Sequence, residues 1–272
     1  MTVFQSILLG IVQGLTEFLP ISSSGHLVII PYMLNWHIPA TDAFLFDVLV
    51  QVATLVAVIV FFWNDLITLA KAMLLGLKNK SPLKTAQARL GWYLIFATLP
   101  AGIIGFILKE TVEKTFENPK LTALALFLTA TLLIIAEKVG KRDRILEQLA
   151  WKDALWIGFS QVLAIFPGVS RSGATIAGGM TRDLGRPPAA RFSFLMSIPI
   201  MLAAGISATY DLIHSPNVLQ LLPTFIPGFI SAAVVGYLAI RWLLRFLASH
   251  SIYIFAVYCT AMGLLVIVSR YL

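Results

Sequence analysis

Residues 10–31 read GIVQGLTEFLPISSSGHLVIIP. Within them Glu17, the serine run Ser22–Ser24, Gly25 and His26 lie between apolar runs on both sides. A membrane-crossing helix needs about 20 mostly apolar residues. Region 1–32 has that length, but Gln13, Glu17, Pro20 and the serines interrupt it. It reads as two short half-helices around a polar turn. Non-helical backbone at membrane depth is tolerated only where protein buries it or it lines a polar cavity. The expected form is therefore a re-entrant hairpin, entering and leaving on one side.

A second stretch repeats the first. GFSQVLAIFPGVSRSG, residues 158–173, aligns with residues 10–25 without a gap, and seven of the sixteen positions are identical. The pairs are Gly10/Gly158, Gln13/Gln161, Leu15/Leu163, Phe18/Phe166, Ser22/Ser170, Ser24/Ser172 and Gly25/Gly173. Apolar composition alone would match leucine and phenylalanine, but not glutamine, serine and glycine. The chain thus carries an internal repeat.

Composition agrees with a membrane setting. The 272 residues are 58% hydrophobic and 12% charged, where soluble domains carry about 25% charged residues. The formal net charge of +7 matters through its distribution and does not imply nucleic acid. Cys259 is the one cysteine, which excludes an internal disulfide and a cysteine-cluster metal site. The start, MTVFQSILLG, has no basic n-region, so no cleaved signal peptide is expected.

Six segments have the length and composition of full spans, at about 42–63, 90–109, 120–137, 190–210, 221–244 and 252–270. Region 153–181, broken by Gln161, Pro167-Gly168 and the SRSG turn, is the second hairpin. The expected fold is an all-α polytopic membrane protein, six transmembrane helices plus two re-entrant helical hairpins. It forms a single integral membrane domain over 1–272, with internal repeats at about 1–138 and 149–272. Each repeat holds one hairpin and three spans. Three is odd, so the repeats have inverted topology and their serine turns meet near the midplane. This arrangement places fifteen of the twenty basic residues on one face, from Lys71–Arg89, Lys138–Lys152, Arg182–Arg191 and Arg241–Arg245. Lys109, Lys114, Lys120 and Arg270 fall on the other, and Arg171 in the second turn. The crowded face is cytoplasmic by the positive-inside rule, which turns both termini and the first hairpin's mouth outward.

Serines ahead of an apolar helical run are N-cap signals. A helix N-terminus offers free N–H groups and partial positive charge, which suit a phosphate. The second turn repeats this with Arg171, whose planar fork matches phosphate oxygens. Serines in membrane helices also simply bond neighbouring backbone, and Glu17 could serve only as the counter-ion of Arg171. The clustering of all these groups at paired turns favours a diphosphate or phosphate pocket. What the first turn has and the second lacks is reactive: Glu17 against Ile165, and His26 against Ala174. A serine beside a histidine can be activated as a nucleophile, with a carboxylate orienting the ring. His37, His214 and His250 fall in expected loops, and Gly228, Ala232 and Gly236 form a small-residue packing stripe.

At these residues the sequence resembles the bacterial undecaprenyl-diphosphate phosphatase family, also called the bacitracin-resistance protein family. The family's (Glu/Gln)-xxx-Glu motif is similar to Gln13–Glu17, its Ser-rich turn ending in Gly-His to PISSSGH, and its PGxSRSxxT motif to PGVSRSGAT, Pro167–Thr175. The similarity covers nearly the whole chain, including RFSFLMSIP. It implies hydrolysis of undecaprenyl diphosphate to undecaprenyl phosphate and inorganic phosphate in the bacterial cytoplasmic (inner) membrane, with the site open to the periplasmic side. That recycles the lipid carrier for cell-wall synthesis and confers bacitracin tolerance. It further implies stimulation by a divalent cation, Mg or Ca, and no organic cofactor. Many members carry Glu where this chain has Gln13, which weakens a two-carboxylate metal site here.

The expected catalytic residues are Ser23 as nucleophile, His26 as base or acid, and Glu17 as its helper. Arg171, Ser22, Ser24, Ser170, Ser172, Thr175 and Gln13 are expected to bind the substrate phosphates, and the metal ligands are unassigned. Ser23 is preferred because it aligns with Arg171, while His26 as the nucleophile stays open. A lipid-phosphate transporter or flippase using the same turns is the rival class. The expected partners are the polyprenyl diphosphate and membrane lipids, with no nucleic acid. A homodimer is compatible with the sequence, which does not fix the oligomeric state.

Overall fold

The computed structural model describes residues 1–113, 119–166, 168–213 and 218–268. Among them every regular segment is helical, apart from one isolated bridge between Arg144 and Leu184. Helix α1 (Val3–Phe18) starts at Thr2, whose hydroxyl accepts the Gln5 N–H while the Gln5 side chain accepts the Thr2 N–H. It stops at Leu19, extended at φ −66° and ψ 142° as the residue before a proline prefers. After a short turn, α2 (Ser23–Met33) runs back beside it. Next come α3 (Ala40–Phe61), α4 (Trp63–Lys78), α5 (Ala86–Glu113) and α6 (Pro119–Val139). Helix α7 (Trp151–Val162) closes in a 3₁₀ turn, Leu163–Ile165, before α8 (Arg171–Met180). The chain finishes with α9 (Arg186–Ile213), α10 (Val218–Ser249) and α11 (Tyr253–Val268).

Each of the six expected spans coincides with a helix, namely α3, α5, α6, α9, α10 and α11. Among the described residues four helical stretches are long and apolar enough to cross a membrane: 40–61, 86–108, 121–139 and 221–249. Helices α1 and α11 are apolar but shorter. The chain is a multi-pass membrane protein. The connection after the first expected span holds a helix the sequence reading did not anticipate, α4. Leu69 is its one buried residue, while Trp63, Leu74, Leu75 and Leu77 are exposed beside Lys71 and Lys78. Such a short, mixed segment falls below the threshold for a span and shows only as amphipathicity.

Ion pairs and aromatic contacts fix the ends of both short-helix pairs. The Met1 ammonium, ahead of α1, pairs with Asp42 at the start of α3, 3.4 Å away, and Phe4 of α1 packs edge-on against Trp36, just past the end of α2. The feet of α7 and α8 meet at Asp153, which accepts from Arg144 and Arg182, both at 2.7 Å. Burial alone would raise the Asp153 carboxyl. The bonds from Arg144, the Ala150 N–H and Arg182 instead hold it below the ordinary aspartate range. Nearby, buried Glu137 receives Arg142, Arg186 and the Ile252 N–H, joining the ends of α6, α9 and α11.

Small residues bring long helices together. Gly10 of α1 lies directly on the Gly228 backbone of α10, and Gly14 packs on Ala232 and Gly236, so the expected stripe is an α1–α10 contact. Gly158 of α7 lies in the same way on the Ala97 backbone of α5. In both places an added Cβ would overlap a carbonyl, so glycine is what permits the approach. Helix α6 packs along α11, and α3 along α9.

Candidate active site

The two serine turns converge in the middle of the molecule. Ser22 caps α2, its hydroxyl accepting the Gly25 N–H at 3.2 Å, and Ser170 caps α8, accepting the Gly173 N–H at 3.0 Å. Each cap hydroxyl lies near the serine two residues on, Ser22 to Ser24 at 3.4 Å and Ser170 to Ser172 at 3.1 Å. The outer serines then bond across the junction. Ser24 Oγ accepts the Gly168 N–H at 3.3 Å, and Ser172 Oγ donates to the Leu19 carbonyl at 3.0 Å. Gly168 sits at φ +92°, with Thr122 and Ala125 of α6 where a Cβ would be, so only glycine fits. Thr129 on the same helix accepts the Ser170 N–H at 3.0 Å.

Glu17 is the hub. One carboxylate oxygen accepts from Arg171 at 2.7 Å. The other accepts the Ser23 hydroxyl at 2.6 Å and the Gln13 amide at 3.0 Å. Ser23 and Arg171 are half-buried, whereas Gln13, Ser22, His26, Ser170, Ser172 and Thr175 are buried. The Thr175 hydroxyl pairs with its own helix and with Ser193 at 2.6 Å, so it braces α8 against α9. Gln13 Oε1 is buried without a hydrogen-bond partner. Pro167 of the second motif and His214 lie outside the described residues. His37 is exposed, and exposed His250 bonds its neighbour Ser249.

His26 is placed differently from the serine–histidine pairing expected from the sequence. Its ring is 2% exposed and bonds the Ser22 carbonyl through Nδ1 and the Tyr258 hydroxyl through Nε2, both at 2.7 Å. The group that contacts the Ser23 hydroxyl is Glu17. Ser22 is also distinctive in its backbone, at φ +72° and ψ 103°, a conformation that costs a non-glycine residue about 1–3 kcal/mol. Its partner Ser170 is relaxed at φ −72°. Sequence reasoning missed Tyr258 and Thr129, which stand in apolar helices far from either motif, and Ser193, which lies in RFSFLMSIP but was given no role. No local pattern marks them.

The arrangement provides an anion clamp from Arg171 and two helix N-termini, facing a hydroxyl already bonded to a carboxylate. The clamp suits a phosphate, and the hydroxyl–carboxylate pair suits nucleophilic attack. Comparison with known proteins points the same way. The profile of the bacitracin resistance protein BacA family matches residues 6–265. An undecaprenyl-diphosphatase from Thermomicrobium roseum is 42% identical over 274 residues, covering 98% of each chain. The undecaprenyl-diphosphatase of Chlorobium phaeovibrioides is 42% identical over 98% of this chain and 96% of its own. That of Desulforudis audaxviator is 42% identical over 98% of both. With a match that spans residues 6–265, both serine turns included, the chain belongs to the bacitracin resistance protein BacA family.

Proposed function

We propose that this protein is a membrane phosphatase that hydrolyses undecaprenyl diphosphate to undecaprenyl phosphate and inorganic phosphate. It thereby recycles the lipid carrier of cell-wall synthesis and confers tolerance to bacitracin. The observation that carries this reading is the Ser23 hydroxyl, 2.6 Å from the Glu17 carboxylate whose other oxygen holds Arg171 at 2.7 Å. A pure anion-transport site needs the arginine but has no use for a carboxylate-bonded serine.

The packing supports a specific membrane arrangement. Helices α9 and α11 complete six spans with the four long apolar ones. The α1–α2 pair, with Phe4 against Trp36 at its outer end, and the α7–α8 pair, with Asp153 bridging Arg144 and Arg182 at its own, are re-entrant hairpins. The partnerships are reciprocal, α1 with α10 as α7 with α5, while α3 faces α9 and α6 faces α11. Such reciprocity supports two inverted repeats, about 1–138 and 149–272, in one integral membrane domain. The arginine-rich feet of the second hairpin lie in the cytoplasm by the positive-inside rule. Both termini and the mouth of the site then face the outer side of the bacterial cytoplasmic membrane.

The polyprenyl tail lies among the apolar helices and the diphosphate between the turns. Arg171 exchanges Glu17 for phosphate oxygens, assisted by N–H groups at the starts of α2 and α8. Ser23 Oγ attacks the terminal phosphorus as its proton passes to Glu17. The bridging P–O bond breaks, and undecaprenyl phosphate leaves with that proton. Water then attacks the phosphoserine, Glu17 taking the water proton and returning one to Ser23 as phosphate departs. A divalent cation, Mg or Ca, fits Gln13 Oε1 and Glu17 as donors. Among the described residues no three His, Cys, Asp or Glu side chains converge on a metal site. Most of its ligands would therefore be diphosphate oxygens and water. When bound, the ion neutralises charge on the transferring phosphoryl group.

The test is detergent-solubilised protein given a soluble isoprenyl diphosphate, with release of inorganic phosphate measured. Release without two compartments is expected. Folded protein that binds the diphosphate but releases no phosphate would overturn the reading in favour of a lipid-phosphate transporter.

A further inference from the structure

We infer that Tyr258 is a positioning residue, which with His26 clamps the strained Ser22 turn and so sets the Ser23 hydroxyl in its reactive place. The inference rests on the phosphatase reading above. The argument begins with the ring nitrogens of His26. A carbonyl only accepts, so the 2.7 Å contact from Nδ1 to the Ser22 oxygen puts the ring proton on Nδ1. Nε2 then offers a lone pair, and the Tyr258 hydroxyl, 2.7 Å away, donates to it. The two rings lie nearly parallel, 13° apart, so the imidazole is gripped at both ends.

What the ring holds is the carbonyl of Ser22, the residue at φ +72°. That carbonyl shares a peptide plane with the nitrogen of Ser23, so its direction decides where the Ser23 side chain points. It receives two donors, the His26 ring and the His26 N–H at 3.3 Å. The second turn provides the control. Ser170 is relaxed at φ −72°, its carbonyl receives the Ala174 N–H at 2.8 Å, and the residue at the histidine position has no ring. A clamp is present where the backbone is strained and absent where it is not.

Tyr258 comes from α11, in the opposite half of the chain from the turn it serves. The residue is 38% exposed on an apolar helix beside exposed Val257 and Ile254, while its hydroxyl reaches inward to a histidine that is 2% exposed. Its position makes the geometry of the first turn depend on the seating of α11. Both nitrogens of His26 are committed, and neither bonds Ser23 or Glu17, so the ring acts through the backbone.

Full-length protein in detergent tests this with Tyr258→Phe, which keeps the ring and removes only the donor. The expected kcat is lower by about 10-fold with KM within about twofold, because the hydroxyl is misplaced while the phosphate clamp is intact. Adding Tyr258→Phe to His26→Ala should lower kcat no further, as expected for two residues acting through one contact. Amide exchange provides a readout independent of activity. In Tyr258→Phe the 19–30 segment should exchange about 10-fold faster while 168–180 stays within about twofold. Unchanged exchange at 19–30, additive losses in the double variant, or phosphate trapped covalently on His26 would each overturn the clamp. Wild-type protein that releases no phosphate would instead overturn the phosphatase reading, and the exchange measurement would still judge the clamp.

Discussion

The two serine turns share a cap, a glycine three residues beyond it and a bond across the junction, yet they are built for different work. The first turn, at Ser22, is strained, is held by His26 and Tyr258, and presents a hydroxyl to a carboxylate. The second, at Ser170, is relaxed, buried and braced by Thr129 and Ser193, and presents a guanidinium. On the proposed reading, two serine-capped helix ends both face the substrate anion, and a few differences of side chain and backbone divide them into a reacting side and a holding side. Strain is confined to the side where a group has to be aimed.

Substitutions can break this division. Ser23→Ala removes the attacking hydroxyl and should lower phosphate release by about 10³-fold, with binding of the diphosphate lipid retained. Wild-type turnover would remove Ser23 from its role. Arg171→Lys keeps the charge but loses the fork. The expected loss is about 10²-fold in kcat/KM, measured by titrating the substrate. At the backbone and cap of the holding side the expected effects are on stability. Gly168→Ala forces a Cβ at φ +92° against Thr122 and Ala125, and should cost about 1–3 kcal/mol, read as a lower thermal unfolding midpoint. Ser170→Ala removes one cap and should cost about 1 kcal/mol by the same measurement.

The smallest effect concerns the feet of the hairpins. Asp153 is held below the ordinary aspartate range in the folded protein. Its contribution is therefore fully present above the unfolded value of about 3.9 and is lost as pH falls through the lower folded value. Because Arg144 and Arg182 are partly exposed, the contribution is under about 1 kcal/mol. Asp153→Asn should lower the neutral plateau of a stability–pH curve by under about 1 kcal/mol and flatten its acid limb.

The sequence made the two turns legible because their signals are local. Gln13, Glu17, the serines and Arg171 are polar residues in apolar surroundings, and the ungapped register exposes their pairing. The stripe at Gly228, Ala232 and Gly236 was equally plain, although its partner, α1, was not. Helix α4 was missed because an amphipathic helix of one buried residue resembles a loop in a search for spans. The side chain in contact with the Ser23 hydroxyl was not legible for a different reason. Glu17 and His26 are both within a few residues of it, and the choice between them is made by side-chain rotamers and by Tyr258. Adjacency along the chain offers no information about a hydroxyl contributed from the far end of it.

The bonds that cross between the turns restrict how this protein can move. Rocking one half of the molecule against the other, as in alternating access, would strain the Ser24–Gly168 and Ser172–Leu19 bonds together. Exchange of Glu17 for a phosphate at Arg171 severs neither. The junction behaves as a dowelled joint, in which cargo can be worked on without the halves parting. Turnover should therefore proceed with the two hairpins chemically cross-linked to each other, a condition under which a rocking carrier would stall.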